Sequence, residues 1–339
     1  MQKHLMRRSM RFLDPPAVAG FGSVVGKKEA QGPLAACFDR TQTDTRFGTA
    51  TWEKAETKMQ RLALHSALKK AGMKREALSL AFSGDLLNQC IGSSFCLRGT
   101  GIPALGLYGA CSTMAEGLLL AAMSVAGGFV PSAAALTSSH FAASERQYRF
   151  PLGYGGQRAP TTQWTVTGAG CVILREGRGK VYVRGATAGA IVDLGITDAA
   201  DMGAAMAPAA ADTILAHFRE MGRTPIDYDR IVTGDLGAIG AALLKAQLER
   251  EHCGLGGRYD DCGLMIYDRR TQDVHAGGSG CGCSAAVLCG KLLRQMEAGE
   301  IRDLLFCGTG ALFSPVSCAQ GESIPGVCHA VWLSTQREE

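Results

Sequence analysis

Cys111 is the residue best placed to do chemistry in this chain. It follows Leu105-Gly106-Leu107-Tyr108-Gly109-Ala110, an apolar run that ends in small residues, and precedes a segment rich in Ala and Leu. The pattern reads as a strand turning sharply into a helix, with the thiol at the turn. Free backbone N–H groups and the positive end of the helix would favour the thiolate there. Such a group could line a functional pocket or act as a nucleophile. The plainer alternative is one more buried thiol among thirteen cysteines. Asp85, in Gly84-Asp85-Leu86, recurs as Asp235 in Gly234-Asp235-Leu236, so its expected role is to cap the following helix, with a place on a pocket rim kept open. His275 and His329 are the second-half imidazoles that a fold could bring to the thiol. A lone histidine on an apolar strand, as in Val327-Cys328-His329-Ala330, is by default a satisfied core residue. His140, Arg146 and Arg149 fall in a segment, Ser138 to Arg149, that reads as a solvated polar loop, with a place at a dimer interface or above the pocket kept open.

These residues need a scaffold, and the hydrophobic pattern supplies an α/β one. A loop-like stretch is expected from Pro15-Pro16 to about Ala50. Thr51 then caps a helix from Trp52 that ends before Gly72, with Trp52, Ala55, Met59 and Leu62 on its apolar face. Strands follow at Leu78 to Phe82, Pro103 to Tyr108 and Ala133 to Thr137, and an antiparallel pair is expected at Gly170 to Leu174 and Lys180 to Ala186. The second half repeats the first. A helix at Pro208 to Met221 closes before Gly222, and a strand at Tyr228 to Thr233 ends at Asp235, 150 residues after Asp85. Gly280-Cys281-Gly282-Cys283-Ser284 then opens a helix as Gly109-Ala110-Cys111-Ser112 does, and Leu304-Leu305-Phe306 matches the strand at Ala133. Two β-α-β-based halves, residues 1–175 and 176–339, are the expected organisation.

Composition narrows the function. A chain of 339 residues, 46% hydrophobic and 19% charged, can bury enough apolar surface to be globular rather than disordered. The net charge of +4, the scattered basic residues and the 6% aromatic content argue against nucleic acid. An odd number of cysteines without a C-x-x-C pair disfavours a disulfide framework and a structural zinc site, and points to a reducing compartment. No metal or cofactor is expected. Met1 to Met10 lacks the apolar core of a signal peptide. The uncharged stretch Gly117 to Ser139 is long enough to span a bilayer, but Gly127, Gly128 and Pro131 break it, so a buried helix and a strand are expected instead of a transmembrane segment.

Duplicated halves with a cysteine at the head of a buried helix resemble the thiolase superfamily, which includes the β-ketoacyl-acyl-carrier-protein synthases. The chain is more similar still to the stage V sporulation protein AD family of endospore formers. The matching segments include Gly84-Asp85-Leu86-Leu87-Asn88-Gln89, Gly109-Ala110-Cys111-Ser112-Thr113, Ser138-Ser139-His140-Phe141, Gln163-Trp164-Thr165-Val166-Thr167-Gly168-Ala169-Gly170, Asp261-Cys262-Gly263-Leu264-Met265, Gly277-Gly278-Ser279-Gly280-Cys281-Gly282-Cys283-Ser284 and Gln320-Gly321-Glu322-Ser323. The basic N-terminus and Ala30-Gln31 depart from the pattern. The resemblance implies a five-layered α-β-α-β-α fold and a homodimer. It also implies binding of dipicolinic acid (pyridine-2,6-dicarboxylate), alone or as a calcium chelate, and support of its uptake alongside membrane subunits. The chain would then lie in the developing spore, peripheral at the inner membrane. Thiolase-type catalysis needs a second-half histidine in a Gly-His-Pro loop, or a histidine and asparagine pair, where this chain has Cys281 and Cys283. The catalytic set therefore reads as incomplete, and Cys111, Ser112, His329 and Asp85 are the expected ligand-binding residues. An acyl-thioester transferase with Cys111 as nucleophile is the rival, and an interaction scaffold without ligand the third alternative.

Overall fold

The computed structural model describes residues 7–148 and 157–338, which leaves Arg149 outside the described residues. Two five-stranded sheets with the same wiring carry the fold. The first is built from β1 (Ala17–Val25), β2 (Leu80–Asp85), β3 (Ala104–Leu107), β4 (Ser132–Ser139) and β5 (Gly168–Arg175), in the order β1-β5-β4-β2-β3. The second is built from β6 (Tyr182–Thr187), β7 (Arg230–Thr233), β8 (Tyr259–Asp261), β9 (Asp303–Ala311) and β10 (Gly326–Ser334), in the order β6-β10-β9-β7-β8. Directions agree pair by pair: the first two pairings in each order are antiparallel and the last two parallel. The sheets join edge to edge where Ala17 faces Tyr182.

The main helices are α1 (Trp52–Ala71), α2 (Ile91–Leu97), α3 (Thr113–Ala126), α4 (Phe141–Tyr148), α5 (Met202–Met221), α6 (Gly237–Arg250) and α7 (Cys281–Val287). Helix α1 covers the outer face of β1 and β5, while α5, backed by α6, covers β9 and β10. Between the sheets lie α3 and α7, with α3 touching β2 and β4 on one side and β9 and β10 on the other. This is the five-layered α-β-α-β-α arrangement that the resemblance implies. The middle layer forms the largest core, in which Met114, Leu118, Val172, Ala285, Phe306 and Val331 are fully buried. Each of these Met, Leu, Val and Phe side chains stabilises the fold by about 1.5–3 kcal/mol. Every residue of β4 and β9 is buried, as expected of strands covered on both faces.

Four sequence expectations are corrected. The stretch after Pro16 is not a loop throughout but opens with the nine-residue strand β1. Its glycines hide it, because Gly lowers strand propensity. They are needed because α1 lies directly on the strand: a Cβ on Gly22 would stand 2.8 Å from the Ser66 Cβ, and one on Gly20 2.6 Å from the Ala71 nitrogen. Strands β5 and β6 do not pair with each other, since β1 runs between them and is antiparallel to both. Helix α5 begins at Met202, where Asp201 caps it by accepting the Ala204 N–H at 3.1 Å, and Pro208 falls inside it. The expected polar loop after Ser138 is the end of β4 followed by α4. His140 is buried there, and its Nε2 donates to the Thr45 carbonyl at 2.7 Å.

Because the α1 backbone cannot retreat from β1 without opening the core beneath it, Gly22→Ala is expected to cost about 1–3 kcal/mol through overpacking. Thermal unfolding of the purified variant checks this; a melting temperature equal to that of the parent would contradict the close approach.

Candidate functional site

The strand-to-helix turn at Cys111 is fixed by its own hydroxyls. Ser112 Oγ donates to the Gly109 carbonyl at 2.7 Å, Thr113 Oγ1 donates to the Ala110 carbonyl at 2.7 Å, and the Gly109 N–H donates to Thr113 Oγ1 at 3.1 Å. These bonds hold Ala110 at φ +49°, a left-handed value that an alanine adopts only when its surroundings impose it. The turn delivers Cys111 to the floor of a cavity of about 650 Å³, mouth included, at the meeting of the two halves. Leu86, Tyr108, Glu145, Tyr148 and Thr165 line it from the first half, and Ala199, Met202, Ser279, Ala311 and Phe313 from the second. Tyr148 donates to the Leu86 carbonyl at 2.7 Å, lies 3.0 Å from the Tyr108 hydroxyl, and packs 5.8 Å from the Phe313 ring. Glu145 is buried and accepts a hydrogen bond from Thr165 Oγ1 at 2.7 Å.

Asp235, at the end of β7, is the partner of the thiol. It is fully buried and lies in hydrogen-bonding contact with Cys111. Its Oδ1 accepts from Thr309 Oγ1 at 2.9 Å, and its Oδ2 accepts from the Gly280 N–H at 2.8 Å and from Ser279 Oγ at 3.2 Å. Burial raises its pKa to about 6, against the pull of those donors. The Cys111 thiol is pushed well above its ordinary value, first by burial, then by the charge of Asp235. The Gly280 N–H works the other way and does not prevail. The expectation that the helix end would favour the thiolate is therefore overturned: desolvation and a facing carboxylate outweigh it.

Of the four expected ligand-binding residues, the structure brings Cys111 alone to the cavity wall. Ser112 is fully buried with its hydroxyl spent on Gly109. Asp85 is fully buried, and its oxygens accept the Leu87 N–H at 2.9 Å and the Ser93 N–H and hydroxyl at 2.7 and 2.6 Å, which ties the end of β2 to α2. His329 lies outside the wall; its Nδ1 accepts the Gly189 N–H at 3.1 Å, and burial lowers its pKa to about 4. His275 is also away from the cavity, 3.1 Å from Asp273. Cys281 and Cys283 are fully buried, the former donating to the Ser138 carbonyl at 3.0 Å. Among the described residues no histidine lines the cavity. Nor do three or more metal-ligating side chains cluster anywhere among them. Asp235 had a visible signal in the sequence, its repeat of Asp85. Tyr148 and Phe313 had none, since nothing local marks the turn of an aromatic toward a distant thiol.

Comparison with known proteins agrees with the fold. Residues 6–334 match the model of the family described as Stage V sporulation protein AD (SpoVAD). The chain is 43% identical over 320 residues to "Stage V sporulation protein AD" of Bacillus subtilis (strain 168), covering 94% of each. Among solved structures it resembles the 3-oxoacyl-[acyl-carrier-protein] synthase III of Aquifex aeolicus VF5, with a TM-score of 0.57 and 14% identity over 94% of this chain and 99% of that one. It also resembles cerulenin-bound OleA of Xanthomonas, with a TM-score of 0.62 and 13% identity over 96% of this chain and 100% of that one. At these identities the two enzymes establish a shared thiolase-like fold and nothing about activity. The chain itself belongs to the stage V sporulation protein AD family, and so to the proteins of sporulation.

Proposed function

We propose that this chain captures dipicolinate, alone or as its calcium chelate, in the cavity above Cys111. In this role it supports uptake of that guest into the developing spore, as a homodimer placed peripherally at the inner membrane beside the membrane subunits of a transport complex. One observation carries the proposal: the cavity is walled by the rings of Tyr108, Tyr148 and Phe313, and its thiol faces a carboxyl group where catalysis would need an imidazole. A flat pyridine ring stacks favourably among such rings. Tyr108, half exposed at the mouth, offers its ring to the guest, its hydroxyl proton being given to Tyr148 because Tyr148 donates to the Leu86 carbonyl. Asp235 would repel a dianion when ionised and would not when protonated, and calcium carried by the guest would relieve the same repulsion. Membership of a sporulation family supports the setting. Dimerisation is supported by β3, an uncharged edge strand that exposes Leu105 beside Tyr108.

The enzymatic rival, acyl-thioester transfer by Cys111, keeps one point in its favour, the strained Ala110 turn that holds the thiol at the cavity floor. A thiol raised by burial and by a facing carboxylate is a poor nucleophile at neutral pH.

Calorimetry is expected to show micromolar or weaker dipicolinate binding. Tyr148→Ala and Phe313→Ala should each weaken it about tenfold, whereas His329→Ala should leave it unchanged. No heat at millimolar ligand would refute the proposal. Because the native carboxyl of Asp235 gains its proton below about 6, affinity should rise as pH falls through that value, and the rise should vanish in Asp235→Asn; a flat profile in the parent would remove Asp235 from the site. Removing that carboxylate should also lower the Cys111 thiol pKa and speed its alkylation by iodoacetamide at neutral pH about tenfold or more. An acyl adduct on Cys111 after incubation with acyl-coenzyme A, read by mass spectrometry, would favour the rival. Leu105→Glu should shift the chain to monomer in analytical ultracentrifugation.

A further inference from the structure

The outer face of α1 carries a pattern that ligand binding does not use. Every solvent-exposed residue of this helix is basic: Lys54, Lys58, Arg61, His65, Lys69 and Lys70. The first five recur at spacings of three and four, so they form one straight stripe along the helix, roughly 22 Å long at 1.5 Å per residue. The opposite face is buried against β1 and β5, which points the stripe out of the layered fold. The helix's own acids do not neutralise it: Glu56 is fully buried, and Glu53 is paired with Arg146. Lys70 is paired with Asp39 at 2.7 Å, and Lys58 lies within the field of Asp44. Among the described residues Lys54, Arg61, His65 and Lys69 form no ion pair, and Arg61 spends its guanidinium on the Cys96 and Phe95 carbonyls, which leaves its charge uncompensated.

The basic surface continues beside the helix. A groove of about 910 Å³ is lined by Arg61, His65, Arg75 and Arg98, with Glu76 its acidic member, paired to Arg75 at 3.3 Å. At its border Phe95 is 40% exposed, with the Arg98 guanidinium 4.5 Å from its ring centre. The stripe and the groove together make a continuous basic face on a chain whose net charge is only +4.

We infer that this face docks on an anionic lipid surface, the lysines of α1 meeting headgroup phosphates while Phe95 enters the headgroup boundary. Charge complementarity selects the occupant, since the lysines and arginine of one exposed helix face fit a plane of repeated anions. A single-stranded nucleic acid would call for exposed stacking rings between the cations, and beside the groove Phe95 is the exposed one. No helix of the described residues is long and apolar enough to cross a membrane, so a bilayer contact made by them is a surface contact. The inference rests on the peripheral membrane placement proposed above and assigns it to α1, not to the basic N-terminal segment.

Co-sedimentation of the full chain with vesicles tests it. Binding is expected to phosphatidylcholine vesicles containing about one-third phosphatidylglycerol, and not to phosphatidylcholine alone. It should fall steeply between about 50 and 200 mM salt. A variant carrying Lys54→Glu, Lys58→Glu and Lys69→Glu should bind the anionic vesicles at least roughly a hundredfold more weakly, while retaining the parent circular dichroism and dipicolinate calorimetry. Equal binding by parent and variant, or equal binding to both vesicle types, would overturn the inference. Absence of vesicle binding at low salt would overturn it too and leave the stripe to an acidic protein. Because ligand binding is measured without vesicles, a failed calorimetric titration and a failed sedimentation point to different errors.

Discussion

The structure depends on the burial of α3 and α7 between two sheets. One sheet alone would leave α3 half uncovered, because it packs against both β4 and β9. One half cannot complete the core, so the second half is a physical requirement and not an appendage. The same constraint places chemistry at the junction: the head of α3 projects its first residues toward the strand ends of the opposite half, where β7 delivers Asp235.

Once there, the thiol obeys its immediate surroundings more than its position on a helix. A helix terminus offers a partial positive charge that acts within one turn. Burial and a carboxylate in contact act more strongly and in the opposite sense. The outcome is a protonated sulfur beside a carboxyl group that ionises near pH 6. Such a floor can change its charge near that pH while its sulfur stays protonated. The aromatic rings above it supply the shape.

The outer layers are freer. On the second sheet α5 is itself covered by α6, and on the first α1 is flanked by α2, yet every residue that α1 leaves exposed is basic. The two ends of the molecule therefore differ in electrostatics although the wiring beneath them is the same.

Much of this was legible along the chain. The α1 caps, Thr51 and Gly72, the helix heads at Cys111 and Cys281, and the repeat of Asp85 at Asp235 are local signals, and local signals survive in sequence because they depend on neighbours a few residues away. Strand β1 escaped because its glycines serve a helix 40 residues downstream. His329 was placed by resemblance and stands outside the cavity wall. Sequence by itself determined the duplicated α/β layering and the presence of a thiol at a sharp turn, since periodicity and turn residues encode both. Tertiary structure alone decided that this thiol faces Asp235 and lies under Tyr148 and Phe313, since those contacts join residues tens to hundreds of positions apart, and which side chains meet across that distance is set by the packing of two sheets on a shared layer of helices.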